Sequence, residues 1–187
     1  VYVGNNGAFG TGAVTLAGGA VSSDGTTARS ISNAFSMGGA VTLGDVAKNG
    51  TLTFGGSETL TANTTLTVAS GVTLSGVVSG AFDLTKAGNG ELTLSGTNTF
   101  SGGTTVNAGT VWVGSDDAFG SGAVTFSNQV LITGSGTSGV SYLSFPQSLT
   151  FTATGGGRNS LIISNGGKLE MNNTLSIGSS SNLFKLD

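Results

Sequence analysis

Large apolar and small polar residues alternate along this chain in short runs. Thr51-Leu-Thr-Phe54, Thr65-Leu-Thr-Val68, Val72-Thr-Leu74, Glu91-Leu-Thr-Leu94, Ser148-Leu-Thr-Phe151 and Thr174-Leu-Ser-Ile177 all follow the rule. A period of two puts Leu, Val, Ile and Phe on one face and Thr or Ser on the other, which is the signature of a half-buried strand. Each run is short, and Gly, Asn and Ser break it. Asn-Gly pairs at Asn6-Gly7, Asn49-Gly50, Asn89-Gly90 and Asn165-Gly166 are expected at tight corners that need positive φ. Thr, Ser, Val and Gly form helix poorly, and the stretch from Thr26 to Met37 is the best helical candidate.

The pattern repeats over a longer distance. Val1-Tyr-Val-Gly-Asn-Asn-Gly-Ala-Phe-Gly-Thr-Gly-Ala-Val-Thr-Leu16 aligns without a gap on Val111-Trp-Val-Gly-Ser-Asp-Asp-Ala-Phe-Gly-Ser-Gly-Ala-Val-Thr-Phe126. Leu60 to Ser70 aligns more weakly on Leu169 to Ser179. We read residues 1–187 as a single continuous array, with 1–110 as a first unit and 111–187 as a partial second one. Val1-Tyr2-Val3 reads as the middle of a strand, so the sequence has the character of a segment of something longer.

Composition decides between hairpins and a solenoid. Among 187 residues, 34 are Gly and only 8% are charged, against about 25% charged in an ordinary domain. A hairpin sandwich protects its edges with charge, and this chain has little to place there. A solenoid stacks each strand on the next turn, and neutral Thr, Ser and Asn repeat along such a stack without repulsion. The expected fold is all-β, a parallel β-solenoid. At roughly 20–24 residues per turn it makes about eight or nine turns, and at roughly 4.8 Å per turn a rod about 40 Å long.

The same counts exclude several chemistries. There is no Cys and no His, so a disulfide framework, a thiolate site and the commonest general base and metal ligand are all missing. Six Lys and Arg against nine Asp and Glu give a net charge of -3, with no basic stripe for nucleic acid. No window approaches 18 apolar residues, so no membrane helix is expected. No basic stretch followed by an apolar one opens the chain, so a signal peptide would lie outside this sequence.

One stretch carries a resemblance. Gly90-Glu-Leu-Thr-Leu-Ser-Gly-Thr-Asn-Thr-Phe-Ser-Gly-Gly-Thr-Thr-Val-Asn-Ala-Gly-Thr-Val-Trp-Val-Gly114 resembles the passenger-associated repeat of bacterial autotransporters. Phe100 holds the aromatic position of that repeat, and Val111 replaces the usual Leu. The resemblance implies a right-handed parallel β-helix on an exported, cell-surface or secreted protein. It implies no single activity. The alternating strands of about ten residues that the C-terminal membrane barrel of that family uses are not expected within this stretch, which reaches Phe184-Lys-Leu-Asp187.

Candidate sites are few. Gly134-Ser-Gly-Thr-Ser-Gly139 fits G-x-G-x-x-G, but an extended segment ending at Pro146 follows where a nucleotide site needs a helix. Asp116-Asp117 are the adjacent carboxylates; Asn6-Gly7 stands in their place in the first unit, and a solvated corner is the reading. Asp24, Asp45, Glu58, Asp83, Glu91 and Glu170 are scattered, without the paired arrangement of a glycosidase. Tyr2 and Trp112 hold equivalent repeat positions between inward Val residues, which makes them outward aromatics and the candidate surface-interaction residues. Phe9, Phe35 and Phe119 share a motif that reads as core. Leu92, Leu94, Val106, Val111, Val113 and Val124 are expected to point inward. Asn49-Gly-Thr51, Asn63-Thr-Thr65 and Asn172-Asn-Thr174 are sequons of the kind such a composition produces by chance.

No catalytic residue, cofactor or metal site is therefore expected. The function read from the sequence is a non-enzymatic structural or adhesive segment of a bacterial extracellular surface protein or fibre. The alternative is a carbohydrate-binding or carbohydrate-cleaving β-helix. Expected partners are the chain itself, by stacking or covalent continuation at Val1, Val3, Leu183, Phe184 and Leu186, and a surface glycan or other cell-surface molecule.

Overall fold

A computed structural model describes residues 1–126 in full and, from 127 on, the backbone of strand segments. The strands are short, as the alternation requires. The first seven are β1 (Tyr2–Val3), β2 (Val14–Leu16), β3 (Gly19–Ser23), β4 (Arg29–Ile31), β5 (Phe35–Leu43), β6 (Leu52–Phe54) and β7 (Glu58–Val68). The next seven are β8 (Val72–Leu74), β9 (Val78–Ser79), β10 (Leu84–Ala87), β11 (Glu91–Leu94), β12 (Thr104–Val106), β13 (Thr110–Val113) and β14 (Val124–Ser127). The last seven are β15 (Leu131–Gly134), β16 (Tyr142–Phe145), β17 (Leu149–Thr152), β18 (Ser160–Ile163), β19 (Lys168–Met171), β20 (Leu175–Ile177) and β21 (Leu183–Leu186).

Among the described residues every strand pairing is parallel, and partners lie about one coil apart in sequence. Thr64, Leu84, Thr104 and Val124 stand one above another at a constant step along the chain. An 11-stranded sheet runs along one face in the order β1-β3-β5-β7-β10-β12-β14-β17-β20, with β2 and β9 at its side. An 8-stranded sheet, β21-β18-β15-β13-β11-β8-β6-β4, forms another, and β16 pairs with β19. This is a β-solenoid of about six turns over the fully described residues, and β17 and β20 carry the larger sheet two steps further. The expected eight or nine turns were for all 187 residues at an even spacing of roughly 20–24 residues per turn, and the observed count differs only slightly. The coils are uneven: the steps from Gly39 to its partner Thr64 and from Val124 to its partner Leu149 are both longer than the step from Leu84 to Thr104.

The core lies between the sheets. Leu52, Val72, Leu92 and Val111 form one inward column, and Phe54, Leu74, Leu94 and Val113 another. Leu92, Leu94, Val106, Val111, Val113 and Val124 are all buried, as the alternation predicts. Phe9, Phe35 and Phe54 meet edge to face, with ring centroids 5.9 and 4.9 Å apart, the arrangement aromatic quadrupoles favour. The outward columns are hydroxylic: Thr65, Thr85, Thr105 and Thr125 on the larger sheet, and Thr53, Thr73 and Thr93 on the smaller.

Two local expectations are corrected. The candidate helix from Thr26 to Met37 is strand, β4 and the start of β5, because Ile31, Phe35 and Met37 pack inward with β6 and β7 beside them. The glycines of the described Asn-Gly pairs are not the positive-φ positions. Positive φ falls instead at residues such as Gly88 (77°) and Gly109 (78°). Gly90 is needed for closeness: a Cβ there would stand 2.6 Å from the Ser70 carbonyl oxygen of the coil below. The Gly134–Gly139 motif, Asn165-Gly166 and the Asn172–Thr174 sequon lie wholly or largely outside the described residues.

Candidate functional site

The corner between the two sheets varies in length, and that variation builds the most irregular surface. Three residues join β7 to β8, β10 to β11 and β12 to β13, whereas eight, 44–51, join β5 to β6. The loop 24–28 precedes β4 at the same corner. Together they gather Asp24, Arg29, Asp45 and Lys48. Arg29 Nη2 donates to Asp24 Oδ1 at 2.8 Å, and that bond with the guanidinium holds the Asp24 carboxyl below its usual range. Asp45 Oδ1 accepts the backbone N–H groups of Ala47 (2.7 Å) and Lys48 (3.2 Å), which lowers its pKa as well. Lys48 Nζ stands 3.4 Å from the centre of the Tyr2 ring, a cation–π contact. Val46 is 82% exposed at the loop tip and Tyr2 58%.

The solenoid does not bring the two aromatic candidates together. Tyr2 lies in β1, opposite Ser22 of the larger sheet. Trp112 lies in β13 of the smaller sheet, in the outward column after Thr53, Thr73 and Thr93. It is half-buried, and its Nε1 is buried without a hydrogen-bond partner. Of the residues expected at the ends, Val1 is exposed but Val3 is core. Leu183, Phe184 and Leu186 belong to β21, the outer strand of the smaller sheet; their side chains lie outside the described residues.

Asp116 and Asp117 sit in a tight turn, where the Asp117 N–H donates to Ser115 Oγ at 3.3 Å. Among the described residues, no three acidic side chains gather as a metal cluster.

The polar groups that sequence reasoning missed are inside. Lys86 is 1% exposed, in the inward column of Leu66, Val106 and Phe126. Its Nζ donates to the Gly88 and Ala108 carbonyls, both at 2.8 Å, tying two successive corners together. Burial pushes its pKa down to about 8. Glu58 is 0% exposed, opposite Phe35 and Val78. Neither carboxylate oxygen has a hydrogen-bond partner, and burial pushes this acid up to about 8. Its own amide offsets little, since that N–H donates to the Val77 carbonyl at 3.0 Å. Asn98 bridges three coils: its Oδ1 accepts the Val78 N–H at 2.8 Å, and its Nδ2 donates to the Ala118 carbonyl at 2.6 Å. The signal was present in the alternation, because Lys86 follows Leu84 by two and Glu58 precedes Leu60 by two.

Residues 84–113 match the family model described as the passenger-associated-transport-repeat. The matched stretch runs from β10 to β13, a coil and a half, and contains Lys86, Asn98 and Thr104. The chain thus carries the autotransporter passenger repeat, set in a β-solenoid. No curated protein and no solved structure matches the chain.

Proposed function

We propose that the chain is a non-enzymatic structural segment of a bacterial extracellular surface protein, a stiff rod that holds its corner loops away from the cell and makes adhesive contacts through them. The observation that carries this reading is the passenger repeat at 84–113, whose strands β10 and β12 and strands β11 and β13 take successive places in the two parallel ladders. A ladder of this kind is stiff because each coil is bonded along its length to the next. Its buried polar groups serve the stack: Lys86 and Asn98 are turned inward onto carbonyls of neighbouring coils. The display surface in this reading is the long corner with Tyr2, Val46 and Lys48. Among the described residues the outer strands of the two ladders pair with no further strand, and we propose that they continue into a further segment or a second copy. A carbohydrate-binding platform shared by Tyr2 and Trp112 has less support, since the two lie on different sheets.

The test is to produce the full-length protein in its host, treat intact cells with protease, and image the released material. Surface release of rods supports the reading. Protection from the protease, or turnover of a polysaccharide that is abolished by replacing one acidic residue, would overturn it.

A further inference from the structure

A carboxyl group sealed in an apolar stack has to be accounted for. Glu58 opens β7 and points between the sheets with no exposure and no partner for either oxygen. The side chains opposite it are Phe35 on β5 and Val78 on β9, and Leu60 is its inward neighbour on β7. Among the described residues no charged group faces it. Lys86, on β10, lies opposite Leu66 at the other end of β7. The Arg29–Asp24 pair belongs to β4 and its loop, which do not pair with β7. The polar groups of β9 are engaged elsewhere: the Val78 N–H donates to Asn98 Oδ1 and the Ser79 hydroxyl to the Glu58 backbone carbonyl.

The joint around Glu58 is weak. β9 holds β7 through two residue pairs only, Glu58–Val78 and Thr59–Ser79. Just beyond, the β5–β7 register shifts between Met37 and Gly39. The coil above turns at Gly76, where a Cβ would stand 3.0 Å from Glu58 Oε2, and the next residue, Val77, is exposed. The carboxyl therefore lies behind a corner made of backbone alone, where Gly76 packs directly on the Gly56 carbonyl, one residue from exposed Val77.

We infer that Glu58 makes this corner a proton-dependent joint: the carboxyl is closed in the stack as the neutral acid, and its ionisation opens the Gly76–Ser79 coil while the coils from Leu84 onward stay shut. A bare carboxylate is too costly to keep in an apolar stack, and it reaches water most cheaply by displacing that coil. The sign follows from the direction of the shift. The acid has its folded pKa raised, from 4.5 to about 8, so the closed form is favoured at low pH and loses ground as pH rises through that window. The window from pH 5 to 8 isolates Glu58, because Asp24 and Asp45 are shifted downward and Lys86 titrates at about 8 and above.

The test is amide hydrogen exchange on the whole chain at pH 5 to 8, corrected for intrinsic rates, for the wild type and Glu58→Gln. The opening equilibrium at the Glu58 and Val78 amides should rise up to about tenfold per pH unit in the wild type, the slope of one proton. It should be flat in Glu58→Gln. The Leu84 and Thr104 amides, which donate to the Gly103 and Ala123 carbonyls, should stay flat in both. Equal slopes in the two proteins, or an opening spread evenly over all four amides, would overturn the inference. If Glu58→Gln does not fold, carbon NMR of the wild-type Glu58 carboxyl decides: a midpoint near 8 supports the joint, and one at 4–5 overturns it.

Discussion

The turns at positions 8–10 and 118–120 share a sequence and differ in what surrounds them. In Ala8-Phe9-Gly10, the Ala8 N–H donates to the Asn5 carbonyl at 3.2 Å and the Gly10 N–H to the Gly7 carbonyl at 2.9 Å. In Ala118-Phe119-Gly120, the Ala118 N–H donates to Ser115 at 3.1 Å and the Gly120 N–H to Asp117 at 2.9 Å. The glycines have φ of 64° and 69°. Locally they are one structure. Yet Phe9 is half-buried, with Phe35 as its ring partner, whereas Phe119 is 0% exposed. Phe119 meets Phe126 edge to face at 5.6 Å, and its carbonyl accepts the Thr104 hydroxyl at 3.0 Å. Short-range sequence makes the turn; the coils stacked on it make the core. That division is the nearest-neighbour energetics of a repeat protein, with an intrinsic term and an interface term.

Removing the two rings separates those terms most widely. Phe119→Ala should cost about 3–5 kcal/mol, the range for a fully enclosed aromatic. Phe9→Ala should cost about 1–2 kcal/mol, because part of the ring already meets water. Urea unfolding of both variants measures the difference. Equal losses would mean that the stack adds nothing to the turn, and the comparison would fail.

The glycines test the same division from the backbone side. Both would hold an Ala in left-handed conformation, at about 1–2 kcal/mol each. A Cβ on Gly10 has nothing within 4 Å, while one on Gly120 would overlap the Phe100 carbonyl oxygen and crowd its ring. Gly10→Ala should therefore show the conformational cost alone. Gly120→Ala should lose about 3 kcal/mol or more once overpacking is added. Thermal unfolding that shifts equally in the two variants would place the whole cost in φ.

The division also explains what the sequence could carry. Strand positions and the inward set were legible because alternation is a local signal, and the runs at 51–54, 72–74 and 91–94 all became strands within a residue. The long corner at 44–51 was not, since no pairing rule fixes how much chain a solenoid spends between sheets. Tyr2 and Trp112 share a repeat position and yet lie on different sheets for the same reason: the coils that step from Val21 to Leu43 and from Gly39 to Thr64 are longer than those that step from Leu84 to Thr104. Glu58 and Lys86 were legible by parity and hidden by charge, which reads as solvent-facing unless the stack is known to enclose it.

The smallest expected effect concerns the two asparagines that fasten these turns to the coil beside them. Asn33 Nδ2 donates to the Gly10 and Gly12 carbonyls at 3.1 and 2.7 Å. Asn98 Nδ2 donates to the Ala118 carbonyl while its Oδ1 holds the Val78 N–H. Cutting either amide back to Ala removes two bonds, so a count of bonds predicts equal losses. Burial predicts otherwise. Gly10 and Gly12 are exposed, and water can take over their carbonyls. Val78 and Ala118 are buried, and an orphaned donor there carries its full desolvation cost. Asn98→Ala should lose about 2 kcal/mol and Asn33→Ala under about 1. Hydrogen exchange at the Val78 amide sharpens the point, because Asn98→Ala should expose it and Asn33→Ala should leave it protected. A Val78 amide that stays protected without Asn98 would show that a neighbouring carbonyl or a water molecule had replaced the bond, and the gap between the two asparagines would then close.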